Sequence, residues 1–174
     1  MKKNGFTLAE VLITLGIVGV IAALTIPSMT HNVSKQQVGP ALAKGINSLE
    51  AANRKALADN GAIRLNDIDD NYFNILDLTL NGVIVEESGN TTGFISNDGI
   101  SYSNSAFAWS GDSANTTVTI DINGSKKPNK GGIDQFNVNI DVSGKVELAN
   151  NCVIDSPDEN CTSKIMEDGW EMKY

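Results

Sequence analysis

The sequence predicts an α+β fold in which a long N-terminal α-helix is packed by a C-terminal antiparallel β-sheet. Three observations support this prediction. Residues 6–29 carry almost no charge, apolar residues then recur at helical spacing up to residue 56, and short apolar stretches alternate with turn-forming residues after residue 60. A chain of 174 residues accommodates one globular domain in addition to the unusual N-terminal segment.

The first element is a positively charged stub, Lys2 and Lys3, followed by the mostly apolar residues 6–29. As a helix this segment would be roughly 36 Å long, enough to cross the hydrocarbon core of a bilayer. An ordinary secretory signal would have a shorter apolar stretch and a small-residue cleavage site. A simple anchor does not explain Glu10, because a carboxylate inside a bilayer costs several kcal/mol unless it is paired. The sequence therefore predicts an apolar helix whose one acid has a partner.

The residues around Glu10 carry a specific resemblance. Gly5-Phe6-Thr7-Leu8-Ala9-Glu10, followed by the apolar run, resembles the class III signal of type IV prepilins and type II secretion pseudopilins. The resemblance implies that a membrane-embedded prepilin peptidase cuts after Gly5 and methylates the new amine of Phe6. It also implies that Glu10 meets the N-terminal ammonium of a neighbouring subunit in the filament core, so that two groups costly to bury alone become a pair. Ala9 departs from the branched residue common in the family, but alanine is an excellent helix former.

The helix is predicted to continue beyond the apolar segment as an amphipathic half. Its apolar stripe is Val38, Leu42, Ile46, Leu49, Ala52 and Ala56. We predict an end near Ala58, with Asn60-Gly61 as the stop signal, and a bend rather than a break at Pro40. The resulting organisation is a leader (1–5), a transmembrane or filament-core half of the helix (6–29), an amphipathic half (30–60), and a globular β-rich domain with a C-terminal disulfide loop (61–174). The resemblance implies the same pilin-like lollipop.

The globular part is predicted to begin with a short helix and loop at residues 66–80. Strands are predicted at 93–96 and 100–103, flanking the hairpin signal Asn97-Asp98-Gly99. Further strands are predicted at 116–122, 135–142 and 145–148, the second of which alternates apolar and polar residues. These segments predict an antiparallel sheet of about four or five strands.

The loop at residues 121–134 is the most distinctive part of the domain. Asp121, Asn123 and Asp134 offer hard oxygen ligands at short spacing, which suits calcium. The alternative is that these side chains cap turns through hydrogen bonds to the backbone. We favour the turn interpretation, because the spacing does not match an EF-hand and only two carboxylates are present beside three lysines. No cofactor is therefore predicted, and calcium is the secondary hypothesis.

Cys152 and Cys161 make up the whole thiol content of the chain. In an exported domain, such a pair is most simply a disulfide that closes a loop. In the C-terminal tail, Trp170 and Tyr174 are interpreted as core anchors, with a partner-binding surface as the alternative.

The predicted function is that of a structural subunit, major or minor, of a type IV pilus, a competence filament or a type II secretion pseudopilus. The partners implied are other pilin or pseudopilin subunits, the prepilin peptidase and the bacterial inner membrane, with later residence in a periplasmic or cell-surface filament. The net charge of -8 argues against a nucleic-acid partner, and no nucleophile elbow, phosphate-binding glycine motif or metal cluster indicates an enzyme. The alternatives are a filament-tip or surface-displayed binding module, calcium-dependent or not, and an uncleaved, membrane-anchored periplasmic protein.

Overall fold

The structure, a computed structural model, describes residues 7–87, 90–104 and 115–174, with the backbone alone at residues 24–34, 87, 90 and 91. The chain divides into two compact units, residues 1–37 and residues 38–174. In the first unit, the described residues from Leu8 onward are helical. The second unit contains the sheet and the core.

The first element is helix α1 (Leu8–Asn60). It continues without a break through Pro40 and ends two residues beyond the predicted position, at the Asn60-Gly61 signal, where Gly61 has a φ of 62°. The predicted apolar stripe of the amphipathic half is confirmed, because each of its six members is buried in the core of the second unit. Burial of this stripe is what attaches the helix to the sheet.

The sheet contains six strands in sequential order, and each strand is antiparallel to the next. The strands are β1 (Gly82–Glu87), β2 (Asn90–Ser96), β3 (Ser101–Ser103), β4 (Asn115–Asp121), β5 (Gln135–Asp141) and β6 (Val146–Leu148). The core face presents alternate residues, as the period of a strand requires, and these are Phe94, Tyr102, Val118, Ile120, Phe136, Val138 and Ile140. The predicted α+β class and antiparallel sheet are confirmed.

The remaining helices are short. A 3-10 turn (Leu65–Asp67) leads into α2 (Tyr72–Thr79), so the helix and loop predicted for residues 66–80 are present. Helix α3 (Thr162–Glu167) follows the second cysteine and was not predicted.

The prediction of four or five strands was wrong, because β1 was missed. Gly82-Val83-Ile84-Val85 lacks the alternation of apolar and polar residues that marked the other strands. The strand lies at the edge of the sheet, and Val83 and Val85 are exposed there, so tertiary pairing with β2 rather than local pattern makes it a strand.

A buried polar bridge connects helix α1, helix α2 and the turn between β5 and β6. Asn53 of α1 donates from Nδ2 to the carbonyl oxygen of Gly144 (2.9 Å) and accepts at Oδ1 from the hydroxyl of Tyr72 (2.7 Å). Both side chains are fully buried, and burial raises the pKa of the Tyr72 hydroxyl far above its usual range. The bridge satisfies polar groups that would be costly to bury without partners, and it fixes α2 and the β5–β6 turn beside α1.

Candidate functional site

The N-terminus of α1 is capped by reciprocal hydrogen bonds between Thr7 and Glu10. Glu10 accepts at Oε2 from the amide of Thr7 (2.8 Å) and from its hydroxyl (2.8 Å), while the amide of Glu10 donates to the Thr7 hydroxyl (3.3 Å). This is a capping box, in which the residue before the helix and the third residue within it satisfy amides that have no partner inside the helix. Within the described residues, no donor reaches Glu10 Oε1, so one carboxylate oxygen stays available.

The apolar side chains near Glu10 on α1 are exposed to solvent. Every side chain from residue 7 to residue 21 is exposed. Nine of them are large aliphatic residues with 44–80% of their surface exposed: Leu8, Val11, Leu12, Ile13, Leu15, Ile17, Val18, Val20 and Ile21. Burying each such side chain stabilises by about 1.5–3 kcal/mol, so this helix strongly favours apolar surroundings over water.

Among the described residues, no helix is both long and apolar enough to cross a membrane. The predicted cleavage site, Gly5 and Phe6, and the leader at residues 1–5 lie outside the described residues.

The loop at residues 121–134 is organised by its two aspartates. Asp134 accepts from the amides of Asn129 (2.8 Å) and Lys130 (2.6 Å) and from Asn123 Nδ2 (3.1 Å). Asp121 accepts from the amide of Asn123 (3.1 Å) and from Gln135 Nε2 (3.1 Å). Each carboxylate therefore accepts one hydrogen bond from the start of the loop, at Asn123, and at least one more from its second half, at residues 129–135.

The same geometry brings the three calcium candidates close together. Burial, opposed by hydrogen bonds from Gln135 and Asn123 and assisted by the charge of Asp134, raises the pKa of Asp121. Asn123 Oδ1 is buried, and no donor in the described residues reaches it. No group of three or more His, Cys, Asp or Glu suited to a metal ion is found among the described residues. Calcium binding stays the secondary hypothesis.

The C-terminal segment is closed by the predicted disulfide, which is present between Cys152 and Cys161. Trp170 and Tyr174 are half-buried and pack against the core together with Met172, as the core-anchor interpretation predicts. Burial raises the pKa of the Tyr174 hydroxyl to about 12. The tail is therefore part of the domain rather than an extension from it.

Two residues with a clear role were missed from the sequence. Thr7 was passed over although Thr7-Leu8-Ala9-Glu10 has the Thr-x-x-Glu spacing of a capping box, which is a readable signal. The second residue is Gly39. A Cβ on Gly39 would lie 1.7 Å from the carbonyl oxygen of Trp170, so the absence of a side chain there lets the tail lie against α1. No local pattern reveals that contact.

Comparison with known proteins adds one finding about the N-terminus. Residues 1–26 match the family model described as the prokaryotic N-terminal methylation motif, the signature of type IV pilin and pseudopilin precursors. The resemblance noted at residues 5–10 is thereby confirmed. No curated protein and no solved structure matches the chain.

Proposed function

We propose that this chain is a structural subunit of a type IV pilus or a type II secretion pseudopilus, assembled through its apolar N-terminal helix. The observation that carries the proposal is the exposure of every side chain from residue 7 to residue 21, nine large aliphatics and a single acid among them. Such a surface is unfavourable in water, and packing against like helices removes it from water. The methylation motif at residues 1–26 supports the same role.

The proposed maturation begins at the inner membrane. Prepilin peptidase removes residues 1–5 after Gly5 and methylates the amine of Phe6, and residues 6–29 stay in the membrane until the subunit enters a periplasmic or cell-surface filament. Cleavage also removes Lys2 and Lys3, the cations that oppose transfer of this end into an apolar environment. The apolar segment, residues 6–29, then begins with one amine and carries one side-chain carboxylate, that of Glu10.

Glu10 is proposed to pair with the amine of a neighbouring subunit. Its Oε2 is occupied by Thr7 within its own helix, whereas no donor in the described residues reaches Oε1. An ammonium group approaching Oε1 would compensate a carboxylate that is costly to bury alone, and the amine would be compensated in return. Because only one acid is available per helix in this segment, pairing also fixes the axial register between neighbours.

The test separates the charge of Glu10 from its role in capping. Glu10→Gln keeps a side-chain oxygen for the capping box but removes the charge. Thr7→Val is the matched control, because it removes the capping hydroxyl, at a cost of about 1 kcal/mol, and keeps the carboxylate. Leader cleavage is followed by the mass of the chain, and assembly by the amount of the chain recovered in filaments sheared from cells.

We expect Glu10→Gln to be cleaved normally and to lose assembly by about a hundredfold or more, since breaking a buried pair costs roughly 3–5 kcal/mol and each 1.4 kcal/mol is about tenfold. Glu10→Leu should behave in the same way, and Thr7→Val should assemble nearly as the unchanged chain does. Full assembly of Glu10→Gln would refute the pairing. Equal losses in Glu10→Gln and Thr7→Val would instead assign the effect to helix capping.

A further inference from the structure

Asn-Gly dipeptides are chemically reactive, and the chain contains four of them. They are Asn4-Gly5, Asn60-Gly61, Asn81-Gly82 and Asn123-Gly124. The first lies outside the described residues. Glycine has no side chain to shield its amide nitrogen and leaves the backbone free to rotate, so this nitrogen can reach the side-chain amide of the preceding asparagine. Hydrogen bonds and backbone conformation therefore decide which of the three described dipeptides can react.

Asn60 is held by the end of helix α1. It is the last residue of the helix, and its Nδ2 donates to the carbonyl oxygen of Ala56 (2.9 Å). The amide nitrogen of Gly61, which would be the attacking atom, donates to the carbonyl oxygen of Ala58 (3.3 Å). Reaction at this dipeptide requires both hydrogen bonds to break and residue 60 to leave the helical conformation.

Asn123 is held within the loop at residues 121–134. Its amide donates to Asp121 Oδ1 (3.1 Å), and its Nδ2 donates to Asp134 Oδ2 (3.1 Å). The amide of Gly124 also donates to the carboxylate of Asp121. Asn123 Oδ1 is buried and no donor in the described residues reaches it, so negative charge that forms there during attack is not stabilised. The fold therefore protects both the attacking nitrogen and the side-chain amide of this dipeptide.

Asn81 has neither form of protection. It is exposed, and it lies between the end of α2 and Gly82, the first residue of β1. Its only hydrogen bond among the described residues is at its carbonyl oxygen, which accepts from the amide of Asn97 (3.0 Å). Because hydrogen-bonded pairs alternate along an antiparallel ladder, the amide of Gly82 points away from β2, toward the open edge of the sheet. The side chain of Asn81 and the nitrogen of Gly82 can therefore approach each other.

The fold also requires the glycine that makes Asn81 reactive. A Cβ on Gly82 would lie 2.3 Å from the carbonyl oxygen of Ile95 and 2.4 Å from Cζ of Phe94. Phe94 is fully buried in the core, so its ring has no room to move aside. Packing thus keeps a residue without a side chain directly after Asn81.

We propose that Asn81 is a site of spontaneous modification, at which its side-chain amide becomes a carboxylate. The amide nitrogen of Gly82, having lost its proton to solvent base, attacks Cγ of Asn81. The new C–N bond closes a succinimide ring, and the bond from Cγ to Nδ2 breaks with release of ammonia. Water then opens the ring at either carbonyl, which yields isoaspartate or aspartate. Older copies of the chain therefore carry one more negative charge at the edge of the sheet, -8 minus 1, or -9.

The test compares the three dipeptides within one molecule. The full chain in mild detergent is incubated in mildly alkaline buffer, folded in one arm and denatured in guanidinium chloride in the other. Peptide mass mapping follows each asparagine, with isoaspartate resolved from aspartate. Asn60 and Asn123 are internal controls, because each is followed by glycine and is held by the fold. Asn81→Gln is the matched variant, because its longer side chain keeps the amide but must close a larger ring, which forms more slowly.

We expect Asn81 in the folded chain to convert at least about tenfold faster than Asn60 or Asn123, since each of those must first lose hydrogen bonds that protect it. In denaturant the three rates should converge, because the protecting contacts are gone. On ion exchange, the more acidic form that accumulates in the folded arm should be absent from Asn81→Gln.

Three results would contradict the proposal. The first is conversion of Asn60 or Asn123 as fast as that of Asn81 in the folded chain, and the second is an Asn81 that reacts only after denaturation. The third is a product that contains aspartate without isoaspartate, which would exclude attack by Gly82, since opening of the ring gives both. A preference for Asn81 that persists in denaturant would overturn the structural reasoning, because the neighbouring sequence would then select the residue. The proposed function does not depend on any of these outcomes.

Discussion

Gly39 offers a direct test of how the C-terminal tail is held on the helix. Gly39→Ala places a methyl group where the carbonyl oxygen of Trp170 lies 1.7 Å away, and contacts below about 3 Å do not occur at Cβ atoms. The tail must therefore move by more than 1 Å, roughly the difference between those two distances. Because the obstructing atom is backbone and α1 is fixed by its buried stripe, the displacement falls on the tail.

Two opposing effects set the magnitude. Alanine is favoured over glycine in a helix interior by about 1 kcal/mol. Displacing the tail uncovers part of Trp170, Met172 and Tyr174, each half-buried, at roughly 1 kcal/mol each. We therefore expect a net loss of about 2 kcal/mol in the free energy of unfolding, or a Tm lower by roughly 5–10 °C.

The measurement is urea unfolding of the full chain in mild detergent, with release of C-terminal residues by carboxypeptidase as the report on the tail. Gly45→Ala is the matched control, because it makes the same change in the same helix, where the nearest atom is a side-chain methyl, Cγ2 of the buried Ile120, at 3.1 Å, and a shift of a few tenths of an ångström is enough. We expect that variant to differ little from the unchanged protein, because the close contact with Ile120 offsets the gain of about 1 kcal/mol from alanine in the helix. Unchanged or higher stability of Gly39→Ala with a protected tail would refute the reasoning.

Other predictions concern the buried bridge, the disulfide and the loop. Tyr72→Phe should lower the free energy of unfolding by about 1–2 kcal/mol, because Asn53 Oδ1 loses its buried donor, and a result within error of zero in urea unfolding would contradict this. Replacing both cysteines by alanine should cost about 2–3 kcal/mol through loop-closure entropy, which thermal unfolding with and without reductant would measure. Because burial raises the pKa of Asp121, its ionised carboxylate lowers the free energy of unfolding. This loss of stability is fully present above the pKa of Asp121 in the folded protein, and it disappears as the pH falls below the pKa of Asp121 in the unfolded chain. Asp121→Asn should therefore gain stability relative to the unchanged protein at pH 7, and the gain should shrink toward about pH 4; a gain that grows on acidification would contradict the assignment.

The parts of the fold that the sequence predicts are those with a strong local pattern. The stripe from Val38 to Ala56 has helical spacing, and all of it is buried. The Asn97-Asp98-Gly99 turn is present, with Gly99 at a φ of 87° and the amide of Ser96 bonded to the carbonyl oxygen of Ile100 (2.9 Å). In both places, local preference and tertiary packing favour the same conformation, which is why each could be predicted.

The parts that the sequence does not predict depend on residues far apart in the chain. β1 becomes a strand because β2 pairs with it, and the contact between Gly39 and Trp170 joins the helix to the last residues of the chain. The site at Glu10 lies between these cases. Its Thr-x-x-Glu spacing is readable in the sequence, and the structure shows the hydrogen bonds between Thr7 and Glu10 that the spacing allows.

The most direct test of the proposed function is the intact mass of the chain recovered from filaments sheared off cells. We expect a single species that lacks residues 1–5, begins at Phe6 and is heavier by one methyl group. Recovery of the chain only from the membrane fraction, at the mass of the full sequence beginning at Met1, would contradict maturation and assembly through this helix.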